Sequence, residues 1–393
     1  MMDQLKIDFN KIFPGGEARV FFAPGRVNLI GEHTDYNGGH VFPCALSIGT
    51  YAVVRKREDQ LIRMYSLNFE DIGTVECSLD NLSYQTDHDW ANYPKGVIDV
   101  LRKSGQTIST GFDILFYGNI PNGAGLSSSA SIELATAVVV NELFQLNLDT
   151  ISLVKASQQA ENEFIGVSCG IMDQFAIGMG KQDAAILLNC QTLDYTYSPL
   201  KLKDASLIIG NTNKRRGLAD SKYNERRSEC DAALKDLQQE LSISSLGDLT
   251  SQQFEQFKHL IKNDIHQKRA KHAVYENERT KEAVIKLQAG DLTGFGLLMN
   301  ESHRSLRDDY EVTGTELDAL VEAAWAQDGV IGSRMTGAGF GGCTISIVKN
   351  EYVDTFIEEV NKSYYEKTKL TADFYVVQVG DGARELDAET VKG

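Results

Sequence analysis

The richest group of chemically capable side chains lies near the amino terminus, between Ala23 and Gly39. The segment Ala-Pro-Gly-Arg-Val-Asn-Leu-Ile-Gly-Glu-His-Thr-Asp-Tyr-Asn-Gly-Gly mixes four glycines with five polar or charged groups, namely Arg26, Glu32, His33, Asp35 and Asn37. A solvated hairpin explains its Asn-Gly-Gly turn but not this variety of polar types. Glu, His and Asp side by side suit a ligand with several hydroxyls, such as a sugar. A metal is the less favoured alternative, because these three residues lack the helical i, i+4 spacing.

A second glycine-rich segment is typical of an anion site. Pro121 to Ser131 is Pro-Asn-Gly-Ala-Gly-Leu-Ser-Ser-Ser-Ala-Ser, and it lies between a predicted strand and a predicted helix. Backbone N–H groups at a helix start bind phosphates, and serine hydroxyls offer one possible Mg²⁺ ligand. The segment is neither a Walker loop nor a G-x-S-x-G nucleophile elbow. A serine N-cap after a glycine turn is the alternative.

The third glycine-rich segment, Thr336 to Gly342, formally matches G-x-G-x-x-G. A dinucleotide fingerprint requires a helix next, whereas Cys343 to Val348 is predicted to be a strand. We therefore exclude dinucleotide binding. The glycines favour close approach of the backbone to a ligand or to the other half of the chain, with a ligand-free hairpin as the alternative.

Two acidic residues between these segments are further candidates. Asp173 lies in Cys-Gly-Ile-Met-Asp-Gln-Phe, directly after a glycine turn, where a helix cap is the alternative role. Glu161 lies on a predicted helix, where a solvent-facing position is the alternative. Their residue types alone do not decide between these roles.

Strands and helices of α/β type position these segments. Short β-rich runs dominate the first part of the chain, at 19–23, 50–55, 63–68 and 111–117, followed by helices at 128–146 and 149–165 and a strand at 183–189. Asp149 or Thr150 is the predicted N-cap of the second helix. The remainder contains strands at 207–211, 331–335, 343–348 and 374–379, and helices at 219–240, 268–288, 292–306, 313–327 and 351–367. We expect a close-packed junction near residues 190–205.

Composition narrows the function class. The 393 residues carry 39 basic and 55 acidic side chains, a net charge of −16, which argues against binding to nucleic acid or to an anionic membrane. The six cysteines form no C-x-x-C motif and fit a reducing compartment. No apolar run approaches the roughly 18 residues of a membrane span. We expect a cytoplasmic protein and, without a heptad seam, a monomer.

Taken together, the three glycine-rich segments resemble those of the galactokinases, a branch of the GHMP small-molecule kinases. The block from Gly25 to Gly39 is similar to the galactokinase signature, Pro121 to Ser129 to the GHMP phosphate loop, and Thr336 to Gly342 to the motif near the chain end. The resemblance covers essentially the whole chain. It implies two α/β lobes of mixed sheets and helices, 1–195 and 196–393, with the active site in the cleft between them. The implied reaction transfers the γ-phosphate of ATP to the anomeric hydroxyl of α-D-galactose.

The resemblance also implies a role for each candidate residue. Asp173 would accept the proton of the anomeric hydroxyl and Arg26 would lie beside it, while Ser129 and Glu161 would hold Mg²⁺. The other implied contacts are to ATP, from Ser66, Gly123, Ala124, Gly125, Leu126, Ser127, Ser128 and Ser129, and to the sugar, from Glu32, His33, Thr34, Asp35, Gly170, Asp173 and Tyr223.

Two alternatives stay open within this resemblance. A non-catalytic galactose sensor should carry damage in the serine loop or at Asp173, and both are intact. A GHMP kinase for N-acetylgalactosamine would need a pocket for the acetyl group, which the sequence does not reveal.

Overall fold

The computed structural model describes residues 1–121, 125–202, 204–214 and 219–386. Within these ranges, helices and three mixed or antiparallel sheets alternate along the chain, which confirms the predicted α/β class.

The largest sheet carries most of the amino-terminal half. Its strands within the described ranges are β1 (Arg19–Asn28), β3 (Pro43–Lys56), β4 (Leu61–Ser66), β5 (Val75–Ser78), β6 (Phe112–Gly118) and β13 (Arg384–Glu385). Their order is β13-β1-β3-β6-β4-β5, and only β4 and β6 run parallel among these neighbours.

Two smaller sheets complete the strand framework. The first is formed by β2 (His40–Val41), β7 (Ala184–Asn189) and β8 (Tyr195–Pro199). The second has the order β10-β11-β9-β12 and contains β9 (Ala205–Asn211), β10 (Val330–Thr336), β11 (Cys343–Lys349) and β12 (Asp373–Val377). Because β10 and β11 form an antiparallel hairpin around the third glycine-rich segment, the exclusion of a dinucleotide fold is confirmed.

Helices cover the sheets of each half. In the amino-terminal half they are α1 (Met2–Ile12), α2 (Asn92–Lys103), α3 (Ser128–Phe144), α4 (Thr150–Gln159) and α5 (Met172–Met179). In the carboxyl-terminal half they are α6 (Ala219–Leu237), α7 (Ser251–Phe257), α8 (Asp264–Gln288), α9 (Leu292–Ser305), α10 (Gly314–Trp325) and α11 (Val353–Thr368). The apolar α3 packs against β1 and β3, which fixes its first turn beside Arg26.

The helix predicted over 149–165 is divided in the structure. Asp149 is its N-cap, as predicted, and accepts a hydrogen bond from the Ser152 N–H at 2.7 Å. After Gln159 the chain continues as a π-helical turn, Ala160–Ile165, which carries Glu161. Such turns are frequent at functional sites.

The two halves share a hydrophobic core. Val27, Leu29 and Phe42 from the amino-terminal half pack in one cluster with Ile209 and Phe295 from the carboxyl-terminal half. After β12 the chain returns to the first sheet, where β13 pairs with β1. The division at residues 195 and 196 stays a prediction, and it did not include this return.

Within the described residues, no helix combines the length and apolar character needed to cross a bilayer.

The buried carboxylate of Asp113 holds α1 and three strands together. It accepts hydrogen bonds from Arg55, Arg57 and Arg63 at 2.7–3.0 Å, and Arg55 and Arg63 stack on Phe9 and Phe13 of the amino-terminal region. Removing one partner of a buried ion network costs about 3–5 kcal/mol, because the remaining charges stay unpaired.

We therefore expect D113A to lower the free energy of unfolding by about 3 kcal/mol or more, as measured by denaturant-induced unfolding. The matched control is K103A, which breaks an exposed pair with Asp99 and should cost less than about 1 kcal/mol. Equal losses in the two variants would show that Asp113 contributes no more than a surface charge.

Candidate active site

One cavity between the two halves gathers predicted residues from distant parts of the chain. Its walls include eight of them, namely Arg26, Glu32, His33, Asp35, Glu161, Gly170, Asp173 and Tyr223. The third glycine-rich segment joins them through Gly337 and Ala338, so both halves contribute to the cavity.

An ion pair between Arg26 and Asp173 lies in this cavity. The guanidinium Nε and Nη2 donate to the two carboxylate oxygens of Asp173, each at 2.8 Å, across 147 residues of sequence. Arg26 is almost fully buried, whereas the Asp173 side chain keeps 30% of its surface exposed. Asp173 lies in the first turn of α5, where the helix dipole favours a negative charge. The pair therefore presents an oriented carboxylate to the cavity.

Burial disfavours the charged form of Arg26, but the negative charges of Asp173 and Glu32 outweigh this effect and raise the pKa of the guanidinium.

The register of β1 shifts by a bulge between Pro24 and Arg26, a feature common beside active sites. A Cβ on Gly25 would lie 2.9 Å from the Leu126 carbonyl oxygen, so a glycine lets the serine loop approach β1 closely.

Ser127 connects the serine loop to the ion pair. Its hydroxyl donates to Asp173 Oδ2 at 2.5 Å and makes no capping bond to α3, although Ser127 is the N-cap residue. Its φ of 64° is unusual for a residue with a side chain, and such strain clusters at functional sites. The alternative of a simple serine cap therefore does not describe this side chain.

The predicted phosphate loop is described from Gly125 onward, and Gly123 and Ala124 lie outside the described residues. The Gly125 carbonyl accepts from Arg26 Nη1 at 3.0 Å, and Leu126 is buried. Helix α3 begins at Ser128, so its first N–H groups lie at the end of this loop.

Glu32 is anchored to the opposite half of the protein. Its Oε1 accepts from the Gly337 N–H at 2.8 Å and from the Thr336 hydroxyl at 3.2 Å. The described residues bond only this oxygen, so Oε2 is the one left for a ligand in the cavity.

Asp35 lies directly against Gly170. A Cβ on Gly170 would overlap the Asp35 carboxylate, so this position requires a glycine. Burial, and secondarily repulsion by the Asp173 charge, raises the pKa of Asp35 to about 7. Hydroxyl groups that donate hydrogen bonds to Asp35 stabilise its ionised form, because they replace the water molecules that burial has removed.

The remaining predicted sugar contacts differ in exposure to the cavity. The His33 ring nitrogens contact Tyr36 and Ala338, and Tyr223 lies with its ring centroid 5.6 Å from that of His33. Thr34 is fully buried, and its hydroxyl donates to the carbonyls of Gly31 and His40. Its side chain therefore shapes the loop and is not placed in the cavity wall.

The predicted metal ligands, Ser129 and Glu161, lie close enough for Ser129 to influence the Glu161 carboxylate. Gln174 Nε2 donates to Glu161 Oε2 at 2.6 Å and to Glu133 Oε2 at 3.1 Å, and the nearby Ser129 hydroxyl favours the charged form of Glu161. Burial and the Asp173 charge raise the pKa of Glu161 to about 7. A buried, under-solvated carboxylate beside a hydroxyl fits a hard cation such as Mg²⁺.

No group of three or more His, Cys, Asp or Glu within the described ranges could hold a metal alone. A cation held by Ser129 and Glu161 would therefore need phosphate and water oxygens as its other ligands, which is the usual situation of Mg²⁺ in nucleotide enzymes.

A second cavity borders the start of α3. Ser66, predicted to contact a nucleotide, lines it together with Ser128 and Ser129. Three of its four aromatic residues were missed by sequence reasoning, namely Phe69, Trp90 and Tyr93; the fourth, Phe116, belongs to β6. No local motif marks them, because they come from a loop, a short helical turn and the start of α2, which only the fold brings together.

Three family models match the chain. They are the galactokinase galactose-binding signature at residues 7–56, the GHMP kinase N-terminal domain at 92–181 and the GHMP kinase C-terminal domain at 281–366. The galactokinase of Fusobacterium nucleatum is 62% identical over 388 residues, which cover 98% of this chain and 100% of the relative. The galactokinase of Bacillus subtilis is 60% identical over 390 residues, covering 99% and 100%.

Solved structures agree with these matches. Lactococcus lactis galactokinase complexed with galactose superposes with a TM-score of 0.96 at 49% identity, covering 98% of this chain and 100% of that chain. The Methanococcus jannaschii mevalonate kinase, at 19% identity and a TM-score of 0.67, covers 94% and 100% and shares the fold.

Proposed function

The chain belongs to the galactokinase family of ATP-dependent GHMP sugar kinases, and on that basis we propose a specific reaction for the interlobe cavity. The cavity transfers the γ-phosphate of ATP to the anomeric hydroxyl of α-D-galactose, giving α-D-galactose 1-phosphate and ADP. The observation that carries this proposal is the Arg26–Asp173 pair, bonded through Ser127 to the serine loop and lining the same cavity as Glu32 and Asp35.

The nucleotide is bound beside this pair. Backbone N–H groups at the start of α3 and in the preceding glycine-rich loop bind the phosphates, because a helix amino terminus favours negative charge. The second cavity, with its aromatic residues and Ser66, takes the adenosine part. The γ-phosphate then lies between the serine loop and Asp173, which Ser127 connects.

Asp173 and Arg26 divide the chemical work. As the anomeric oxygen bonds to the γ-phosphorus, its proton passes to an Asp173 carboxylate oxygen, and the bond from phosphorus to the ADP oxygen breaks. Arg26 orients that carboxylate through two hydrogen bonds and offsets the charge spread over the transferring phosphoryl group. Because phosphoryl transfer passes through a loose transition state, positioning and charge contribute more than base strength.

Ser129 and Glu161 are the residues that hold Mg²⁺ in this proposal. When bound, the cation neutralises the charge on the β- and γ-phosphate oxygens. Gln174 keeps Glu161 in place through a 2.6 Å hydrogen bond, so the ligand geometry is organised by the protein.

The sugar is selected by paired hydrogen bonds. Glu32 and Asp35 accept hydroxyl protons, and the Gly170 backbone lies against Asp35. A sugar whose hydroxyl points elsewhere leaves a buried carboxylate oxygen without a donor, which costs more than the lost bond itself. Glucose is therefore excluded by unsatisfied acceptors. Cytoplasmic location and a monomeric state stay predictions.

We expect E161Q to raise the Mg²⁺ concentration for half-maximal rate by about tenfold or more, because an amide is a weaker ligand for a hard cation. A Mg²⁺ titration at fixed ATP measures this. The control is E163Q, on the same turn but exposed. Superimposable titrations for the two variants would remove Glu161 from the metal site.

A coupled ADP-release assay with Mg-ATP tests the proposed function. We expect turnover with galactose and none above background with glucose, N-acetylgalactosamine or no sugar. Turnover with N-acetylgalactosamine would favour the alternative kinase. No turnover with any sugar, together with galactose-dependent thermal stabilisation, would identify a binding protein.

A further inference from the structure

A chain of four side-chain hydrogen bonds crosses the cleft behind the sugar cavity. Cys230 Sγ lies 3.2 Å from the Tyr310 hydroxyl, which lies 2.7 Å from the Tyr36 hydroxyl. Tyr36 in turn lies 2.8 Å from His33 Nδ1, and His33 Nε2 lies 3.2 Å from the Ala338 carbonyl oxygen.

The carbonyl at one end sets the direction of every bond in the chain. A carbonyl oxygen only accepts, so His33 Nε2 carries the proton that points at Ala338. Burial lowers the pKa of His33 to about 3, so the ring is neutral and Nδ1 is an acceptor. Tyr36 therefore donates to His33. Because that proton is used, Tyr310 donates to Tyr36, and Cys230 donates to Tyr310.

The hydrogen-bond chain runs from the carboxyl-terminal half to the amino-terminal half and back again. His33 and Tyr36 belong to the loop after β1, whereas Cys230 lies in α6 and Tyr310 ends a second π-helical turn, Leu306–Tyr310, which follows α9. Ala338 belongs to the third glycine-rich segment. The loop that carries the sugar-binding carboxylates is therefore hydrogen-bonded to the carboxyl-terminal half on two sides, through Tyr36 to Tyr310 and through His33 to Ala338.

The same residues form a packed aromatic wall. The Tyr310 ring centroid is 4.8 Å from that of His33, and the Tyr223 centroid is 5.6 Å from His33 and 5.4 Å from Tyr36. His33 and Tyr223 line the cavity, while Tyr310 is fully buried behind them. Displacing either tyrosine hydroxyl would thus affect the wall that faces the ligand.

We propose that Tyr36 and Tyr310 are positioning residues of the sugar site, which fix His33 with Nε2 protonated and hold His33 and Tyr223 against the bound hexose. This inference rests on the proposed function. Both ring nitrogens of His33 are then bonded within the protein, so the ring forms a fixed part of the wall and the sugar hydroxyls are recognised by Glu32 and Asp35.

The test compares Y36F and Y310F with the matched control Y364F. Tyr364 is also fully buried in the carboxyl-terminal half. Its hydroxyl donates to the Thr212 carbonyl at 2.8 Å and takes no part in the hydrogen bonds from Cys230 to Ala338. Isothermal titration with galactose in the absence of nucleotide gives Kd. We expect Kd to rise about tenfold in Y36F, which loses the buried hydrogen bond to His33. The rise should be about threefold in Y310F, which loses the next bond along, and not measurable in Y364F. The KM for ATP should stay unchanged in all three variants.

Nitrogen-15 spectra of histidine-labelled protein read the tautomer directly. We expect His33 to be neutral with Nε2 protonated, and its Nδ1 resonance to shift in Y36F but not in Y364F. Wild-type galactose affinity in Y36F, an equal loss in Y364F, or a proton on Nδ1 would each overturn the proposal.

If Y310F does not fold, C230A and C230S test the far end of the chain. C230A should raise the Kd for galactose about twofold, whereas C230S, which keeps a donor, should match the wild type. The reverse order would contradict the inference that Cys230 donates to Tyr310. Absence of galactose turnover in the wild-type protein would defeat the proposed function, whereas the histidine spectra would still report on the chain.

Discussion

D173N is expected to lower kcat by about 10²–10⁴-fold, the usual contribution of a positioned acid–base group. Asparagine has the shape of aspartate, so the α5 turn and the cavity stay intact. It cannot take the proton of the anomeric hydroxyl, and it leaves the buried Arg26 guanidinium without its charged partner. The rate of ADP release in a single turnover measures the chemical step. The Kd for galactose, measured by calorimetry, should rise by less than about tenfold.

D99N is the control for this variant, because Asp99 pairs with Lys103 on the surface of α2. Its kcat should equal the wild-type value. A kcat for D173N within about tenfold of the wild type would mean that proton transfer to Asp173 is not part of the rate-limiting chemistry, and that Arg26 and the phosphate-binding groups supply the rate enhancement.

The second large effect is expected at Asp35. D35A should raise Kd and KM for galactose by about 100-fold, since a hydrogen bond to a charged group contributes about 1.5–3 kcal/mol. The KM for ATP should change less than about threefold, because Asp35 does not line the second cavity.

Exposed Asp80 offers the matched control, and D80A should leave both constants unchanged. Equal weakening of galactose and ATP in D35A would contradict the sugar-binding role, since it would point to a general distortion of the cleft. A rise in the KM for ATP alone would contradict it more strongly.

The sequence identified the segments of the site well, because their polar residues are dense and locally ordered. Arg26, Glu32 and Asp35 fall within one block, and α3 begins at Ser128, where its prediction began. The contact between Arg26 and Asp173 was implied by the family resemblance but not by residue patterns alone, because 147 residues separate the two and the packing of α5 against β1 brings them together.

Local conformation was the part that sequence patterns could not supply. The left-handed Ser127, whose hydroxyl bonds Asp173, has no signature in a run of three serines. Helix α2 was missed because Pro94 and Gly96 interrupt its pattern, and α5 because it is only 8 residues long. The return of β13 to the first sheet involves only Arg384 and Glu385, too short a strand to be predicted.

The aromatic cavity illustrates a different limit. Phe69 and Trp90 lie on separate loops and short helices, with no spacing that links them to Ser66. Their common role follows only from their arrangement around the start of α3. Apolar pockets of this kind depend on tertiary packing and leave little trace in local sequence.

The most direct test of the proposed reaction is phosphorus-31 NMR of the product formed from Mg-ATP and galactose by the wild-type protein. One new resonance, coupled to the anomeric proton of α-D-galactose and appearing in step with ADP, is the expected result. Phosphate on another hydroxyl would contradict the placement of Asp173 at the anomeric oxygen. Release of inorganic phosphate without a sugar phosphate would contradict phosphoryl transfer to galactose altogether.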